Sequence, residues 1–270
     1  MSQAQALGLF AEAPHGPPTS LPTPEEVLRA KLYLGARRVV VSVSGGKDST
    51  ATCLFLQEQG IEHESIFMDT GWELPETYDH IRETLPRHLG PIRWLRAEIP
   101  LPPRLEAIAL DFEARLDVPG DGPPYSAMVR AILQKGMFSA RVRRFCTQVL
   151  KTWPAAEYLQ GHPDEPVSTV GIRAEESTAR AQMTAWEWMD DFDCEIWRPL
   201  LGATLDDVIA LHKRHGVSPS PLYVKGAGRV GCAPCIFATK LELRMLHSIA
   251  PERFKLIEDL EAIVGQLAKE

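Results

Sequence analysis

The segment Ser44-Gly45-Gly46-Lys47-Asp48-Ser49 combines residue types that suit the binding of phosphate. Its glycines let the backbone approach an anion closely, its serines add hydroxyl donors, and its lysine adds a cation. Because the segment lies between an apolar run and a helical pattern, its amides are expected at a helix N-terminus, where the helix dipole favours negative charge. It has neither the GxxxxGK[ST] nor the GxGxxG spacing, and a glycine turn that merely joins strand to helix is the alternative.

Two polar positions follow other predicted strands. Asp69 lies at the end of the second strand, where a carboxylate could hydrogen-bond a ribose, hold Mg²⁺ or simply cap a turn. Arg173 follows a strand candidate that reaches Gly171, and Arg180 lies seven residues later. Guanidinium groups make bidentate contacts to phosphate, so both arginines are candidate anion ligands. A solvated helix face paired with nearby glutamates is the alternative.

Five cysteines are present: Cys53, Cys146, Cys194, Cys232 and Cys235. The last two form a CxxC pair in a loop with glycine and proline, which is compatible with zinc, an iron–sulfur cluster or a redox pair. Cys53 falls in a helical pattern and is expected in the core. The odd number of cysteines, together with an N-terminus that lacks the pattern of a secretion signal, indicates a reducing, cytoplasmic setting.

Residues 126–151 contain six lysines or arginines and no acidic residue, although the chain has a formal net charge of −7. This excess could form a positive wall around a nucleotide or a polyanion, with a solvated helix face as the alternative. The pattern does not distinguish nucleic acid from a small nucleotide. No apolar stretch reaches the roughly 18 residues of a membrane-spanning helix, so no membrane partner is expected.

The elements that must position these residues alternate along the first part of the chain. Hydrophobic residues make up 44% and charged residues 24% of the sequence, which excludes a fibrous or wholly disordered protein. Strands predicted at 38–43, 61–68 and 92–95 alternate with helices at 50–59 and 76–89. This order is typical of a doubly wound, mostly parallel α/β sheet with flanking helices.

Other segments have weaker patterns. Residues 101–124 and 186–195 are expected to be loops, the second of them acidic. We divide the chain into a loose leader at 1–22, a nucleotide-binding α/β domain at 23–215 and a helical, cysteine-bearing C-terminal extension at 216–270. Further helices are predicted at 23–34, 127–135, 141–151, 204–215 and 251–267, with a strand at 166–172 and an extended piece at 197–200.

Six short motifs, in this order, resemble the phosphoadenosine phosphosulfate reductase family of the PP-loop ATP-pyrophosphatase superfamily. In that superfamily the segment SGGKDS, here residues 44–49, is the PP-loop, which grips the pyrophosphate of ATP. The resemblance covers about residues 36–255. The motifs are Val41-Ser42-Val43 with the PP-loop; Met68-Asp69-Thr70-Gly71 with Pro75-Glu76-Thr77; Arg144-Phe145-Cys146-Thr147 with Lys151; Gly171-Ile172-Arg173 with Glu176-Ser177 and Arg180; Arg198-Pro199-Leu200; and Arg229-Val230-Gly231-Cys232 with Cys235.

The resemblance implies that ATP binds with Mg²⁺ and is cleaved between its α- and β-phosphates. Lys47, Asp48 and Arg173 are then the catalytic candidates, and the backbone of Met68 is expected beside the adenine. The residues expected to bind the nucleotide are Ser42, Ser44, Gly45, Gly46, Lys47, Asp48, Ser49, Met68, Asp69, Gly171, Arg173 and Arg180.

The resemblance also bears on the cysteines. Some family members hold a [4Fe–4S] cluster with a Cys-Cys pair near the arginine-rich helix and a later CxxC pair. Here the early pair is Phe145-Cys146, so the resemblance implies a three-cysteine metal site of Cys146, Cys232 and Cys235. We expect a [4Fe–4S] cluster there, with one iron open to sulfide or substrate. Zinc is the alternative metal, and Cys194 is a less favoured fourth ligand.

The resemblance has one departure. Reductases of the family use a nucleophilic cysteine on a C-terminal tail, in a motif close to ECGLH, whereas this sequence has no cysteine after Cys235. We therefore expect a PP-loop ATP pyrophosphatase that adenylates an acceptor and supports sulfur transfer (thiolation).

The expected sulfur donor is a cysteine desulfurase or free sulfide, and the expected acceptor is a nucleic acid or a small metabolite. One alternative is an adenylyl-sulfate or phosphoadenylyl-sulfate reductase. The other is a nucleotide-binding module with a structural metal in a larger complex. The sequence gives no indication of the oligomeric state.

Overall fold

The computed structural model describes residues 20–116, 118, 123–190 and 192–267. The predicted leader at 1–22 therefore lies almost entirely outside the described residues. The chain forms two compact units, each built from three segments. The first unit comprises Met1–Phe67, Ile81–Arg93 and Ala155–Pro219, and the second comprises Met68–His80, Trp94–Pro154 and Ser220–Glu270.

A mostly parallel sheet confirms the predicted α/β fold class. Its strands are β1 (Val39–Ser42), β2 (Glu64–Asp69), β3 (Ile92–Arg96), β4 (Val167–Val170), β5 (Trp186–Met189) and β6 (Cys194–Trp197). They lie in the order β3-β2-β1-β4-β6-β5. β1 pairs in parallel with β2 and β4, β4 pairs in parallel with β6, and β5 is antiparallel to β6.

The central strand β1 forms because its run of valines suits a strand that is covered on both faces. Its three valines, residues 39–41, are all buried. The register places Val41 beside Ser65 of β2 and Thr169 of β4. The carboxyl ends of β1 and β4 therefore meet at one edge of the sheet, which is where α/β sheets bind ligands.

The prediction of an acidic loop at 186–195 was wrong, because this segment forms β5 and the start of β6. Trp186 of β5 stacks on Trp197 of β6, with ring centroids 5.0 Å apart. Glu195 is buried rather than solvated, since Arg37 pairs with it at 2.8 Å. The extended piece predicted at 197–200 begins earlier, at Cys194, and ends at Trp197.

Helices account for most of the remaining regular structure. Those predicted at 23–34, 127–135, 204–215 and 251–267 are confirmed, and Thr23 and Glu26 form the capping box of the first. Among the described helices, none combines the length and the hydropathy needed to cross a bilayer. The helices are α1 (Pro24–Leu34), α2 (Lys47–Glu58), α3 (Pro75–Asp79), α4 (Pro86–Leu89), α5 (Pro103–Ala114), α6 (Ala127–Lys135), α7 (Phe145–Thr147), α8 (Trp153–Gln160), α9 (Thr178–Ala181), α10 (Leu205–Arg214), α11 (Pro221–Val224), α12 (Lys240–Ile249) and α13 (Pro251–Leu267).

Two predicted helices are interrupted. The segment 76–89 is α3, a π-helical turn at His80–Thr84 and then α4, which begins at Pro86 because proline has no amide to continue the preceding helix. The segment 141–151 begins with a tight turn in which Ala140 and Arg143 exchange two backbone hydrogen bonds. It then continues through α7 into a π-helical turn at Gln148–Thr152.

The segment 101–124, predicted as a loop, contains the helix α5. Pro103 occupies its first turn, and Ala109 and Phe112 are buried in the core of the second unit. That core also takes Val129 of α6 and Leu256 of α13. Proline and mixed charge hid a helix whose apolar positions recur at a spacing of three.

Candidate functional site

The PP-loop lies where the chain passes from β1 into α2, as the sequence predicted. Gly45 has a φ of 74°, in the left-handed region that glycine adopts without strain. The Ser49 hydroxyl accepts a hydrogen bond from the Ser44 amide at 3.1 Å and donates one to the Gly46 carbonyl at 3.1 Å. These two bonds hold the loop closed at the start of the helix.

The N-terminus of α2, which carries a partial positive charge, lies at the end of the PP-loop. The first amides of an α-helix have no acceptor within the helix, and the N-cap residue, Gly46, supplies no side-chain acceptor for them. The helix is 12 residues long, so its dipole adds to the effect. Because Gly46 has no side chain, an anion can approach this end of the helix closely.

Asp48 lies between two cations of the site. Its Oδ2 is 2.9 Å from the Lys47 ammonium, and its Oδ1 is 2.6 Å from Nε of Arg173. The Arg173 side chain is only 4% exposed and also pairs with Glu175. A buried guanidinium needs such partners, so Asp48 fixes the positions of both cations beside the helix N-terminus.

At Gly171, directly after β4, the backbone approaches that of the PP-loop closely. A Cβ atom at this position would lie 2.6 Å from the Asp48 carbonyl oxygen and 2.7 Å from Cα of Ser49. Real Cβ atoms do not approach backbone so closely, so only glycine lets the two segments meet. The position was singled out by resemblance, and its geometry supplies the physical reason.

Two other predicted residues of this unit are placed less directly. Ser42 ends β1 beside Ile66 and Val170, at the edge of the sheet that carries the loop. The Arg180 guanidinium pairs with Glu176, four residues earlier, and remains about one-third exposed. The pairing with a glutamate that the sequence had left open therefore forms, and the binding of an anion by Arg180 stays a prediction.

His212 of α10 is a residue of the site that the sequence did not single out. It is buried, and its Nε2 lies 2.8 Å from the Lys47 carbonyl oxygen in the first turn of α2. Its Nδ1 is buried without a hydrogen-bond partner among the described residues. The signal was present in the sequence, since Val208 and Leu211 place His212 on the apolar face of the helix.

Asp69 and Met68 belong to the second unit, at the end of β2. Asp69 Oδ1 accepts hydrogen bonds from the Gly71 amide at 2.9 Å and from the Tyr78 hydroxyl at 3.0 Å. Burial raises the pKa of Asp69, and the nearby charge of Glu73 raises it further. Asp69 thus caps its own turn, which was one of the roles left open, while Met68 is half-buried on the strand.

Cys232 lies in a polar pocket of the second unit. Its sulfur is 3.5 Å from Glu73 Oε1 and 3.6 Å from the Thr70 hydroxyl. Burial raises the pKa of the Cys232 thiol to about 11, and the Lys151 ammonium opposes this shift. The same thiol, followed by Glu73, raises the pKa of Lys151. Lys151 is therefore the cation that balances the two acidic groups of this pocket.

The other cysteines differ in their surroundings, and none of the five forms a disulfide. Cys146 is half-buried, its amide donates to the Ser139 hydroxyl at 3.2 Å, and it packs on the same apolar core as Cys232. Burial raises the pKa of Cys53 to about 12 and that of Cys194 to about 11. Cys53 is in the core, as predicted, and Cys194 belongs to the first unit.

The three cysteines predicted to share a metal have the right chemistry for its ligands, but their side chains are not grouped around one point. Thiolates are the ligands that zinc and iron–sulfur clusters take, and Lys151 offers charge balance. Within residues 20–116, 118, 123–190 and 192–267, however, no three Cys, His, Asp or Glu side chains are grouped to hold one ion.

Comparison with known proteins identifies the family to which the sequence is similar. The sequence matches the phosphoadenosine phosphosulfate reductase domain over residues 38–96 and 123–238. An uncharacterized 37.8 kDa protein of Escherichia phage 186 is 32% identical over 263 residues, which cover 85% of this chain and 76% of that protein. An adenosine 5'-phosphosulfate reductase of Allochromatium vinosum is 28% identical over 199 residues, or 73% of this chain and 67% of that enzyme.

The fold has a solved counterpart. The crystal structure of a phosphoadenylyl-sulfate reductase from Candida auris superposes with a TM-score of 0.53, covering 78% of this chain and 88% of that one. At 16% identity this likeness speaks for the fold alone. The sequence match extends over more than half of the chain and includes both the PP-loop and the CxxC pair, so the chain belongs to the phosphoadenosine phosphosulfate reductase domain family.

Proposed function

We propose that this protein cleaves ATP at the PP-loop, adenylates an acceptor and supports the transfer of sulfur to that acceptor. The observation that carries the proposal is the PP-loop geometry. A helix N-terminus with glycine at its N-cap lies beside two cations, Lys47 and Arg173, that one carboxylate holds in place. So many positive groups at one point suit a pyrophosphate better than a single phosphate.

In the proposed reaction an acceptor oxygen attacks the α-phosphorus of ATP. The bond from that phosphorus to the α,β-bridging oxygen breaks, pyrophosphate leaves, and the acceptor proton passes to solvent. Charge builds on the leaving group, where Lys47 and the first amides of α2 stabilise it. Asp48 acts by holding Lys47 and Arg173 in position.

Mg²⁺ would enter bound to the phosphates of ATP and neutralise part of their charge. Both carboxylate oxygens of Asp48 already contact cations, so we assign no Mg²⁺ ligand within the loop. The protein cations Lys47 and Arg173 then complete the neutralisation of the leaving pyrophosphate.

Sulfur would then displace AMP from the adenylated acceptor. Cys232 is the thiol best suited to accept sulfane sulfur from the persulfide of a cysteine desulfurase, whose own thiolate leaves, because Lys151 can balance the negative charge of the resulting persulfide. The outer sulfur of that persulfide would attack the adenylated acceptor as AMP leaves, and an external thiol would then cleave the remaining S–S bond to Cys232. Free sulfide would instead attack the adenylated acceptor directly, again with AMP as the leaving group. Thr70 and Glu73 line the same pocket. The [4Fe–4S] cluster, or zinc, proposed at Cys146, Cys232 and Cys235 uses the same thiols, and we derive no step through it.

A second candidate function is the reduction of adenylyl sulfate or phosphoadenylyl sulfate. The 28% identity to the Allochromatium vinosum reductase favours it. A sulfonucleotide would present its phosphate to the same PP-loop, and a thiolate would attack the sulfate sulfur and release the nucleotide. A third candidate, a nucleotide-binding module that only holds a structural metal, predicts binding without turnover.

One experiment separates the three functions. The full chain is incubated with α-labelled ATP, Mg²⁺, sulfide and either total RNA or a small-metabolite extract as the source of acceptor. In parallel it is incubated with each sulfonucleotide and a thioredoxin system. We expect acceptor-dependent AMP and pyrophosphate from ATP, and no sulfite above background. Sulfite release would establish the reductase instead, and ATP binding without AMP formation in any mixture would establish the module.

A further inference from the structure

The second unit has an exposed surface that the proposed ATP chemistry does not use. It consists of Arg141, Arg143, Arg144 and Phe237, which we call the arginine surface. All four side chains are exposed. Among the described residues no carboxylate pairs with these three arginines, whose contacts are the Ile236 carbonyl, the Met137 sulfur and the Phe237 ring.

The three arginines differ from two other cations of the basic segment in having no acidic partner among the described residues. Two other cations of the basic segment 126–151 are compensated, since Arg130 pairs with Glu106 and Glu113 in the core and Lys151 faces Cys232. In a chain of net charge −7, three adjacent exposed arginines without counter-charges form a local positive field. Such a field attracts a polyanion.

The backbone holds this surface in a defined shape. Ala140 and Arg143 exchange two hydrogen bonds, and the Ser139 hydroxyl donates to the Arg143 carbonyl at 3.2 Å. The tight turn projects outward, because Val142 at its tip is 95% exposed. A projecting turn cannot enclose a mononucleotide, whereas an extended polymer can run across it.

Phe237 adds an aromatic ring to the arginine surface. The guanidinium carbons of Arg141 and Arg144 lie 5.9 Å and 5.8 Å from its ring centroid. Phe237 lies two residues after Cys235, and the Ala238 amide donates to the Cys235 carbonyl at 2.9 Å. An exposed ring among cations can stack an unpaired base while the arginines contact the neighbouring phosphates.

We propose that the arginine surface binds single-stranded nucleic acid, and that this polymer is the acceptor class of the sulfur transfer. The second part rests on the proposed function. A duplex would satisfy the arginines but would keep its bases stacked away from Phe237. An acidic protein segment would likewise use the arginines and leave the ring without a partner.

The test is fluorescence anisotropy with labelled single-stranded RNA and DNA of about 20 nucleotides, a length that spans several contacts. We expect binding by the full chain, and we expect the triple variant Arg141→Ala, Arg143→Ala, Arg144→Ala to lose about tenfold or more in affinity. Its plot of log affinity against log salt should be shallower by about 2, since each lost phosphate contact on a single strand contributes about 0.7.

The matched control removes three exposed cations elsewhere: Lys31→Ala, Arg87→Ala, Lys213→Ala. It changes the net charge equally and should bind nearly as the wild type does. Phe237→Ala should weaken binding roughly tenfold with the salt slope unchanged, and Phe237→Tyr should retain binding because the ring remains. Circular dichroism verifies that each variant is folded.

Three results would overturn the inference. They are wild-type affinity in the triple variant, an equal loss in the charge-matched control, and a preference for duplex DNA or poly-glutamate over single strands. None of these measurements requires ATP. AMP formation with a small-molecule acceptor, without oligonucleotide binding, would therefore refute the inference and leave the proposed function standing. Oligonucleotide binding without ATP turnover would leave the nucleic-acid surface standing and refute the proposed function, together with the assignment of the polymer as its acceptor.

Discussion

Lys47 and Arg173 contact the two oxygens of one carboxylate, that of Asp48, although they come from distant parts of the sequence. Without Asp48, the Lys47 ammonium could turn toward solvent, and the buried Arg173 would keep only its pair with Glu175. Their shared partner holds both beside the helix N-terminus before any ligand binds. The residue pattern SGGKDS showed the lysine and the aspartate, but only the fold brings the arginine to them.

Single substitutions in the PP-loop should weaken nucleotide binding and leave the fold intact. Gly46 has a φ of −85°, which alanine adopts freely, so Gly46→Ala adds only a methyl group where a phosphate oxygen would approach. Lys47→Ala removes a cation. Calorimetry should show a loss of ATP affinity of about tenfold or more in each, the order expected for a hydrogen bond to a charged group. Lys31→Ala is the matched control, and wild-type affinity in both loop variants would refute the assignment.

Asp69 predicts a pH dependence of stability. Burial, together with Glu73, raises its pKa, so folding favours the neutral acid. Ionisation then costs stability as the pH rises from the ordinary aspartate pKa through the raised one. Asp69→Asn keeps the oxygen that accepts from the Gly71 amide and the Tyr78 hydroxyl, but it cannot ionise.

The variant should therefore gain stability relative to the wild type as the pH rises, and the difference should level off above the raised pKa. Urea unfolding at several values between about pH 4 and pH 7 measures the difference directly. A difference that stays constant over this interval would show that Asp69 ionises as readily in the folded chain as in the unfolded one.

At the scale of elements, β4 and α2 meet through Gly171. Gly171→Ala places a methyl group 2.6 Å from the Asp48 carbonyl oxygen, so β4 and the PP-loop must move apart. We expect a loss of about 1–3 kcal/mol in the free energy of unfolding, as for other overpacked sites. Nucleotide affinity should also fall, because Asp48 is displaced with its backbone.

The matched control for this substitution is Gly265→Ala in α13. Apart from its two chain neighbours and the backbone of its own helix, no atom of the described residues lies within 4 Å of its added methyl group, and alanine is the better helix former. It should stabilise the protein by up to about 1 kcal/mol in the same denaturant titration. Equal effects of the two substitutions would contradict the close approach of β4 to the loop.

Elements with a single clear pattern could be predicted from the sequence. The buried valines of β1 and the capping box of α1 are local signals that the fold does not override. The strands β5 and β6 could not be predicted, because their acidic residues find partners such as Arg37 only in the folded sheet. The helix break at 141–144 also has no local signal, since arginine and valine are both compatible with a helix.

The residues of the site divide in the same way, into those that a local pattern predicts and those that depend on contacts in the folded chain. The PP-loop donors follow from residue types that are adjacent in the chain. His212, Glu73 and Thr70 were missed because their importance lies in contacts across long sequence separations. A lone histidine on an apolar helix face and a glutamate in a Thr-Gly-Trp-Glu turn have many ordinary explanations, so type and spacing alone do not select them.

At the scale of the whole molecule, the second unit gathers three segments that are far apart in the sequence. Cys146 comes from the middle segment and the CxxC pair from the last, and Cys146 and Cys232 pack on one apolar core. A bound metal would tie these segments together, and its ligands would contribute to folding as well as to chemistry. The prediction of a shared site therefore concerns the assembly of this unit and not a local motif.

If the three cysteines share one metal, then Cys146→Ser, Cys232→Ser and Cys235→Ser should each lower the metal content of anaerobically purified protein, because each removes a thiolate ligand. Cys53→Ser is the control, since that thiol is fully buried beside the Ser65 hydroxyl in the first unit. An absorption band near ~400 nm would identify an iron–sulfur cluster, and stoichiometric zinc without the band would identify the alternative metal. Full metal occupancy in Cys146→Ser would exclude this cysteine as a ligand and confine the site to the CxxC pair and its own neighbours.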